Sequence, residues 1–205
     1  MNKFQRFIVA CFNVLYPYKV YNKENVPEGA AIFVSNHFRG IDPGFISDVY
    51  YKDIYFLAKE ELFKNKFIGK LIKSFGGIPI NRTNPGLNSI IKATKVLKEG
   101  HKLVIFPEGT RNKTGTDELQ SIKGGSGVFA VKSKSPILPI ILSGKAKIFR
   151  RTKIYVGKPF ELSDYYGKKL DAKAIEEIDE IIKNKMLEAQ AELKSIINKK
   201  KKCKS

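Results

Sequence analysis

The sequence predicts a single α/β layered domain, a mixed, largely parallel sheet flanked by helices, with an apolar helical segment in front of it and a long helix behind. Two observations carry that expectation. Short apolar runs alternate with longer stretches whose apolar residues recur at helical spacing, the pattern of strands joined by crossover helices. The chain has 205 residues, 42% hydrophobic and 28% charged, which suits one unit with its own core and excludes a disordered or fibrous chain.

The N-terminal segment places Lys3 and Arg6 before Phe7-Ile8-Val9-Ala10-Cys11-Phe12. It resembles the front of a signal peptide, but a small-residue cleavage site is missing. The apolar run ends by Pro17, well short of the ~18–20 residues that cross a bilayer. An aromatic-rich helix lying in a headgroup region fits better, with packing on the core as the alternative.

Pro27-Glu28-Gly29 then marks a turn, and residues 30–35 read as a buried strand ending at Asn36-His37. Residues 54–58 make a second strand, and residues 60–74 an amphipathic helix carrying Leu62, Phe63, Phe67, Ile68, Leu71 and Ile72. Residues 77–81 form a third strand. Asn84-Pro85 supplies a cap and an N1 proline for a helix over 87–98, which Gly100 stops. Strands at 103–106, 137–142 and 153–156 follow, with a short helix over 124–132. From Asp171 a long helix carries Ile175, Ile178, Ile182, Leu193 and Ile197 near one stripe and ends in a frayed run of lysines over 199–202.

Lys and Arg outnumber Asp and Glu by 38 to 20, a formal +18 that attracts polyanionic surfaces, whether nucleic acid or anionic lipid. Each tail lysine near an anionic leaflet adds ~1 kcal/mol of attraction. Cys11 and Cys203 have no disulfide or zinc-site spacing, and the chain has only two histidines, so a metal centre is poorly supported. No glycine-rich nucleotide loop with its lysine occurs. The chemistry is expected to need no cofactor.

Three strand ends carry polar residues suited to chemistry. In Asn36-His37-Phe38-Arg39-Gly40-Ile41-Asp42, a turn formed with Gly40 and Pro43 returns the carboxylate to the imidazole. Asp42 would then hold one tautomer of His37 and leave the other nitrogen to take a proton from a hydroxyl. No serine or cysteine is needed, because an acceptor's hydroxyl can itself attack a thioester. Phe106-Pro107-Glu108-Gly109-Thr110-Arg111 delivers a guanidinium whose planar fork matches a phosphate, with Gly109 letting backbone approach closely. Gly76-Gly77-Ile78-Pro79-Ile80-Asn81-Arg82 delivers a second arginine. His101 lies in a polar turn and reads as a surface residue.

These blocks, with Pro136-Ile137-Leu138-Pro139-Ile140 after them, occur in an order that resembles the glycerolipid acyltransferase family over residues 30–142. Joined to the apolar pattern at one end and the helical pattern at the other, the resemblance divides the chain into a membrane-interfacial segment over 1–26, an acyltransferase domain over 27–168, and a helix with a lysine-rich tail over 169–205. It implies a catalytic His37/Asp42 pair and glycerophosphate recognition by Arg82 and Arg111 within a substrate-binding set that includes Glu108, Gly109 and Thr110. Glu108 and Gly109, together with Asn36 and Pro139, would also support the site. Lys123 is added because the family often has a basic residue before glycine there.

The donor implied is an acyl carrier protein or acyl-CoA thioester, and the acceptor a lysophosphatidic acid whose free hydroxyl is acylated on the way to phospholipid. The location implied is peripheral or monotopic, on an anionic membrane at the cytoplasmic face. The family commonly has serine where this chain has Arg39, which leaves open another lysophospholipid or glycerophosphate acceptor. A basic nucleic-acid- or membrane-binding protein would explain the charge but not the ordered blocks, and no nucleic-acid motif with stacking aromatics is present.

Overall fold

The computed structural model describes residues 3–50, 53–81, 87–114, 116, 118–122 and 125–202. Seven strands form one sheet in the order β1-β7-β6-β2-β5-β3-β4. They are β1 (Tyr18–Tyr21), β2 (Ala31–Ser35), β3 (Ile54–Lys59), β4 (Gly77–Ile80), β5 (Lys102–Ile105), β6 (Ile137–Leu142) and β7 (Thr152–Val156). Five run parallel, while β7 is antiparallel to β6 and carries β1 parallel to itself at the edge.

The helices are α1 (Lys3–Leu15), α2 (Asp42–Val49), α3 (Lys66–Ser74), α4 (Leu87–Lys98), α5 (Ser126–Ser133) and α6 (Ala172–Lys202). They cover both faces, which is why β2, β5 and β6 are buried at every residue instead of alternating with polar ones. Ile32, Val34, Leu103, Ile105, Ile137 and Ile141 face α4, α5 and α6. Ala31, Phe33, Val104, Leu138 and Ile140 face Phe45, Ile46 and Val49 of α2, with Phe12 of α1 packed outside them.

Four elements depart from the expectation. Residues 18–21, grouped by sequence with the N-terminal segment, form β1 and join the sheet. Four residues at an edge, three half-covered and one exposed, have too little periodicity to announce a strand. Residues 42–49 are a helix where only a turn was expected, with Pro43 in its first turn, where the missing N–H costs nothing.

The helix expected over 60–74 is two pieces, a 3-10 turn at Glu60–Phe63 and then α3. Asn65 separates them, its Oδ1 accepting from the N–H groups of Phe67 and Ile68 at 3.1 Å each, so a cap overrides continuous apolar spacing. The lysine tail is helical as far as Lys202, and Lys200 docks over the Tyr21 ring of the edge strand, 4.7 Å from its centroid. The residues 84–85 cap lies outside the described residues.

The long helix buries Ile178, Ile182, Met186, Ala189 and Leu193, one stripe at spacings of three and four. Gly127 of α5 lets it approach, since a Cβ there would sit 2.0 Å from Ile178 Cγ2. Beside Ile178, Asp179 is half-buried, and burial pushes its carboxyl up from 3.8 to about 6. A folded value above the unfolded one gives stability that is complete below about pH 4 and is lost as pH rises through 6. Asp179→Asn should therefore stabilise the fold by about 1–2 kcal/mol at pH 8, allowing for partial exposure, and change little near pH 4. Thermal unfolding at the two pH values checks this.

Candidate active site

β2 and β5 pair in parallel, so the loops leaving their C-terminal ends are neighbours at one edge of the sheet, where crevices form in this layer arrangement. The first loop brings His37 Nδ1 to 2.9 Å from Asp42 Oδ2. The same oxygen accepts the backbone N–H groups of Phe38 and Arg39, each at 2.6 Å. Asp42 opens α2, so its charge also lies in the favourable first turn of a helix. A carboxylate only accepts, so the proton of neutral His37 sits on Nδ1, and Nε2 is left as the basic nitrogen. The ring is held by stacking on Phe106, with centroids 4.1 Å apart and planes at 26°.

The second loop locks onto the first. Glu108 is buried and spends both oxygens on backbone, accepting His37 N–H at 3.0 Å and Gln120 N–H at 3.2 Å. Burial raises its carboxyl above the usual range, while those two hydrogen bonds oppose the rise. Asn112 N–H in turn donates to the His37 carbonyl at 2.7 Å. Asn36 reaches the other neighbouring strand, its side chain donating to and accepting from the Leu142 backbone at 2.9 Å each way. His37 is thus braced by three elements.

Arg111 is exposed and lies over the first loop, where a Cβ on Gly40 would come 3.2 Å from its Nη2. Gly109 makes the turn at φ 67°, a conformation suited to glycine. Thr110 donates to the Gln120 side chain at 3.1 Å. Pro139 lies in β6 opposite Val34, and its carbonyl accepts from Gly157. Arg82 and Lys123 lie outside the described residues. His101 is half-buried against Tyr55 and does not line the site. Arg39 contributes its N–H to Asp42 and is not among the residues lining the cavity.

That cavity, of about 1680 Å³, runs from His37 and Arg111 between α1, β3 and α3. Its walls include Ile8, Phe12, Phe56, Leu57, Leu71 and Phe75. Apolar walls of this kind suit a hydrocarbon chain, which gains ~0.8 kcal/mol per buried methylene. The site therefore pairs a base with a greasy channel and a cation.

The acyltransferase family model matches residues 17–143, more than half of the chain. The chain belongs to the acyltransferase family. Three bacterial relatives of this acyltransferase are named 1-acyl-sn-glycerol-3-phosphate acyltransferase. That of Bacillus subtilis is 34% identical, over 72% of this chain and 75% of its own length. That of Streptococcus pneumoniae is 33% identical over 73% of this chain, and that of Borreliella burgdorferi 32% over 66%. The chain spans 56% and 55% of those two relatives' lengths. The crystal structure of the 1-acyl-sn-glycerophosphate (LPA) acyltransferase PlsC from Thermotoga maritima superposes with a TM-score of 0.67 at 25% identity. It covers 92% of this chain and 78% of that one.

Sequence reasoning missed several supports of the candidate site: the Phe106 stack, the Gln120 partner of Glu108, and the Asn112 and Gly40 contacts. Phe106 and Gly40 stand inside motifs already singled out, so position near His37 was a signal for them. Gln120 had none, because its contact closes a loop whose path is set by tertiary structure. Among the described residues no cluster of His, Cys, Asp or Glu could hold a metal, and no helix is long and apolar enough to cross a membrane.

Proposed function

We propose that this acyltransferase moves a fatty acyl group from an acyl carrier protein or acyl-CoA thioester to the free hydroxyl of 1-acyl-glycerol-3-phosphate, giving phosphatidic acid. It would work at the cytoplasmic face of an anionic membrane, to which its acceptor is confined. The observation that carries this reading is the His37–Asp42 pair set at the head of an apolar cavity, with Arg111 beside it. The names of the relatives supply the acceptor class.

His37 Nε2 takes the proton of the acceptor hydroxyl as its oxygen attacks the thioester carbonyl. The tetrahedral intermediate then collapses with loss of the thiolate, which recovers that proton from the imidazolium, so the ester and free thiol form with His37 restored. General-base assistance of this kind contributes ~10²–10⁴-fold. Arg111 binds the phosphate, remote from the reacting carbon, so its binding energy goes to orientation. No further residue is required to change its protonation.

The test incubates the protein with labelled acyl thioester, lysophosphatidic acid and anionic vesicles, and follows phosphatidic acid. Product from wild type supports the reading; none, with both carriers and a panel of other lyso-acceptors tried, would overturn it. Product formed only from an acceptor with a larger headgroup would reassign the acceptor alone. Arg111→Ala should raise the acceptor KM by about tenfold to a hundredfold, the loss of a charge-assisted phosphate contact, while the KM for the thioester changes little. Steady-state kinetics with each substrate varied in turn checks this.

A further inference from the structure

The connection between β6 and β7 has features that packing does not explain. Its base is closed: Ser143 N–H donates to the Lys153 carbonyl at 2.9 Å, and Lys153 N–H to Ser143 Oγ at 3.0 Å. Its tip holds Ile148 and Phe149 out to solvent, 53% and 72% exposed. Phe149 adopts φ 56°, where a Cβ is disfavoured and glycine or asparagine is the usual occupant. An aromatic ring held there with so little buried area gains nearly nothing from the fold in return.

Two further observations give the tip a direction. Residues 143–153 contain Lys145, Lys147, Arg150, Arg151 and Lys153 and no acidic residue. Phe149 N–H donates to the Leu15 carbonyl at 2.8 Å, which joins the tip to the end of α1. That helix exposes Phe4, Phe7, Val14 and Leu15. The loop also leaves β6 directly after Leu142, which is bonded to Asn36 beside the catalytic histidine.

We propose that residues 145–151 are a second membrane anchor. Ile148 and Phe149 enter the boundary between headgroups and acyl chains, and the basic residues around them meet the phosphates of anionic lipid. The inference rests on the reading above that the acceptor is held in a membrane. It adds what a single helix cannot provide. Contact through α1 alone holds only that helix to the surface, whereas a second contact on the connection between β6 and β7 ties the sheet itself to it, through Leu142 and its bonds to Asn36 beside His37. An acidic protein partner would use the charges but would have no need of the strained aromatic tip. A lipid surface uses both.

The experiment sediments the full chain with vesicles of phosphatidylglycerol and phosphatidylcholine, or of phosphatidylcholine alone, and measures turnover of detergent-dispersed lysophosphatidic acid beside it. Phe149→Gly removes the ring and relieves the backbone. Its unfolding temperature should equal or exceed that of wild type, while partition onto the mixed vesicles falls by at least about tenfold. Phe149→Asn, which also tolerates this φ, should lose the same partition.

Replacing Arg150 and Arg151 by alanine should lower partition on anionic vesicles by about fivefold per charge and leave it unchanged on phosphatidylcholine. Turnover in detergent should be that of wild type in all three variants. Wild-type partition of Phe149→Gly would overturn the proposal. So would unchanged partition with a raised KM for a carrier-protein thioester, which would assign the loop to protein docking. A wild type without acyl transfer but with the partition pattern above would instead count against the catalytic reading.

Discussion

Replacing His37 by alanine is expected to lower kcat/KM for thioester turnover by at least about 10³-fold, because neither of the two carboxylates bonded to its loop can take its place. Asp42 is buried, with the oxygen that faces the imidazole already accepting two backbone N–H groups, so it cannot reach an acceptor hydroxyl. Glu108 has both oxygens occupied. The variant should fold, since the loop around position 37 is held through backbone atoms: its N–H by Glu108 and its carbonyl by Asn112. Truncation removes the ring stacked on Phe106 and its hydrogen bond to Asp42, whose Oδ2 keeps the Phe38 and Arg39 N–H groups. Turnover within tenfold of wild type, in a sample with wild-type circular dichroism, would remove His37 from the mechanism.

Asp42→Asn should cost kcat on the order of 10²–10⁴-fold with a smaller change in either KM. With its amide oxygen in the place of Oδ2, asparagine keeps all three hydrogen bonds, so the geometry of the loop survives. It loses the negative charge that stabilises the imidazolium as the proton arrives. Its amide nitrogen falls where Asp42 Oδ1 is buried without a partner among the described residues, which adds a modest stability cost. Asp42→Ala separates the two contributions: it also releases the Phe38 and Arg39 N–H groups, so thermal stability should fall by about 1–3 kcal/mol more than in the amide variant. If the amide variant keeps wild-type kcat, Asp42 only shapes the loop and its charge does not act in catalysis.

Much of the site was legible because its parts lie close together in sequence. His37 and Asp42 are five residues apart across one turn, and Glu108 to Arg111 form a single block after a strand, so local spacing and the apolar runs before them placed both at strand ends. The fold class followed from the same alternation of periods. What escaped were elements whose stability is mostly tertiary: β1, four residues paired with β7 at an edge, and α2, whose helical start coincides with the carboxylate that bonds His37.

The sequence by itself determined an α/β layer arrangement, which polar residues stand at its strand ends and the acyltransferase resemblance, since these depend on local periodicity and on residue type. Only the tertiary structure decided that Glu108 braces the His37 loop through backbone N–H groups. It also decided that α1 and α3 enclose an apolar cavity beside the base, and that a strained Phe149 stands beside the end of α1. The physical reason is range. A hydrogen bond across 71 residues or a cavity between three elements depends on how strands pair and helices cross, and no spacing within one segment encodes that geometry.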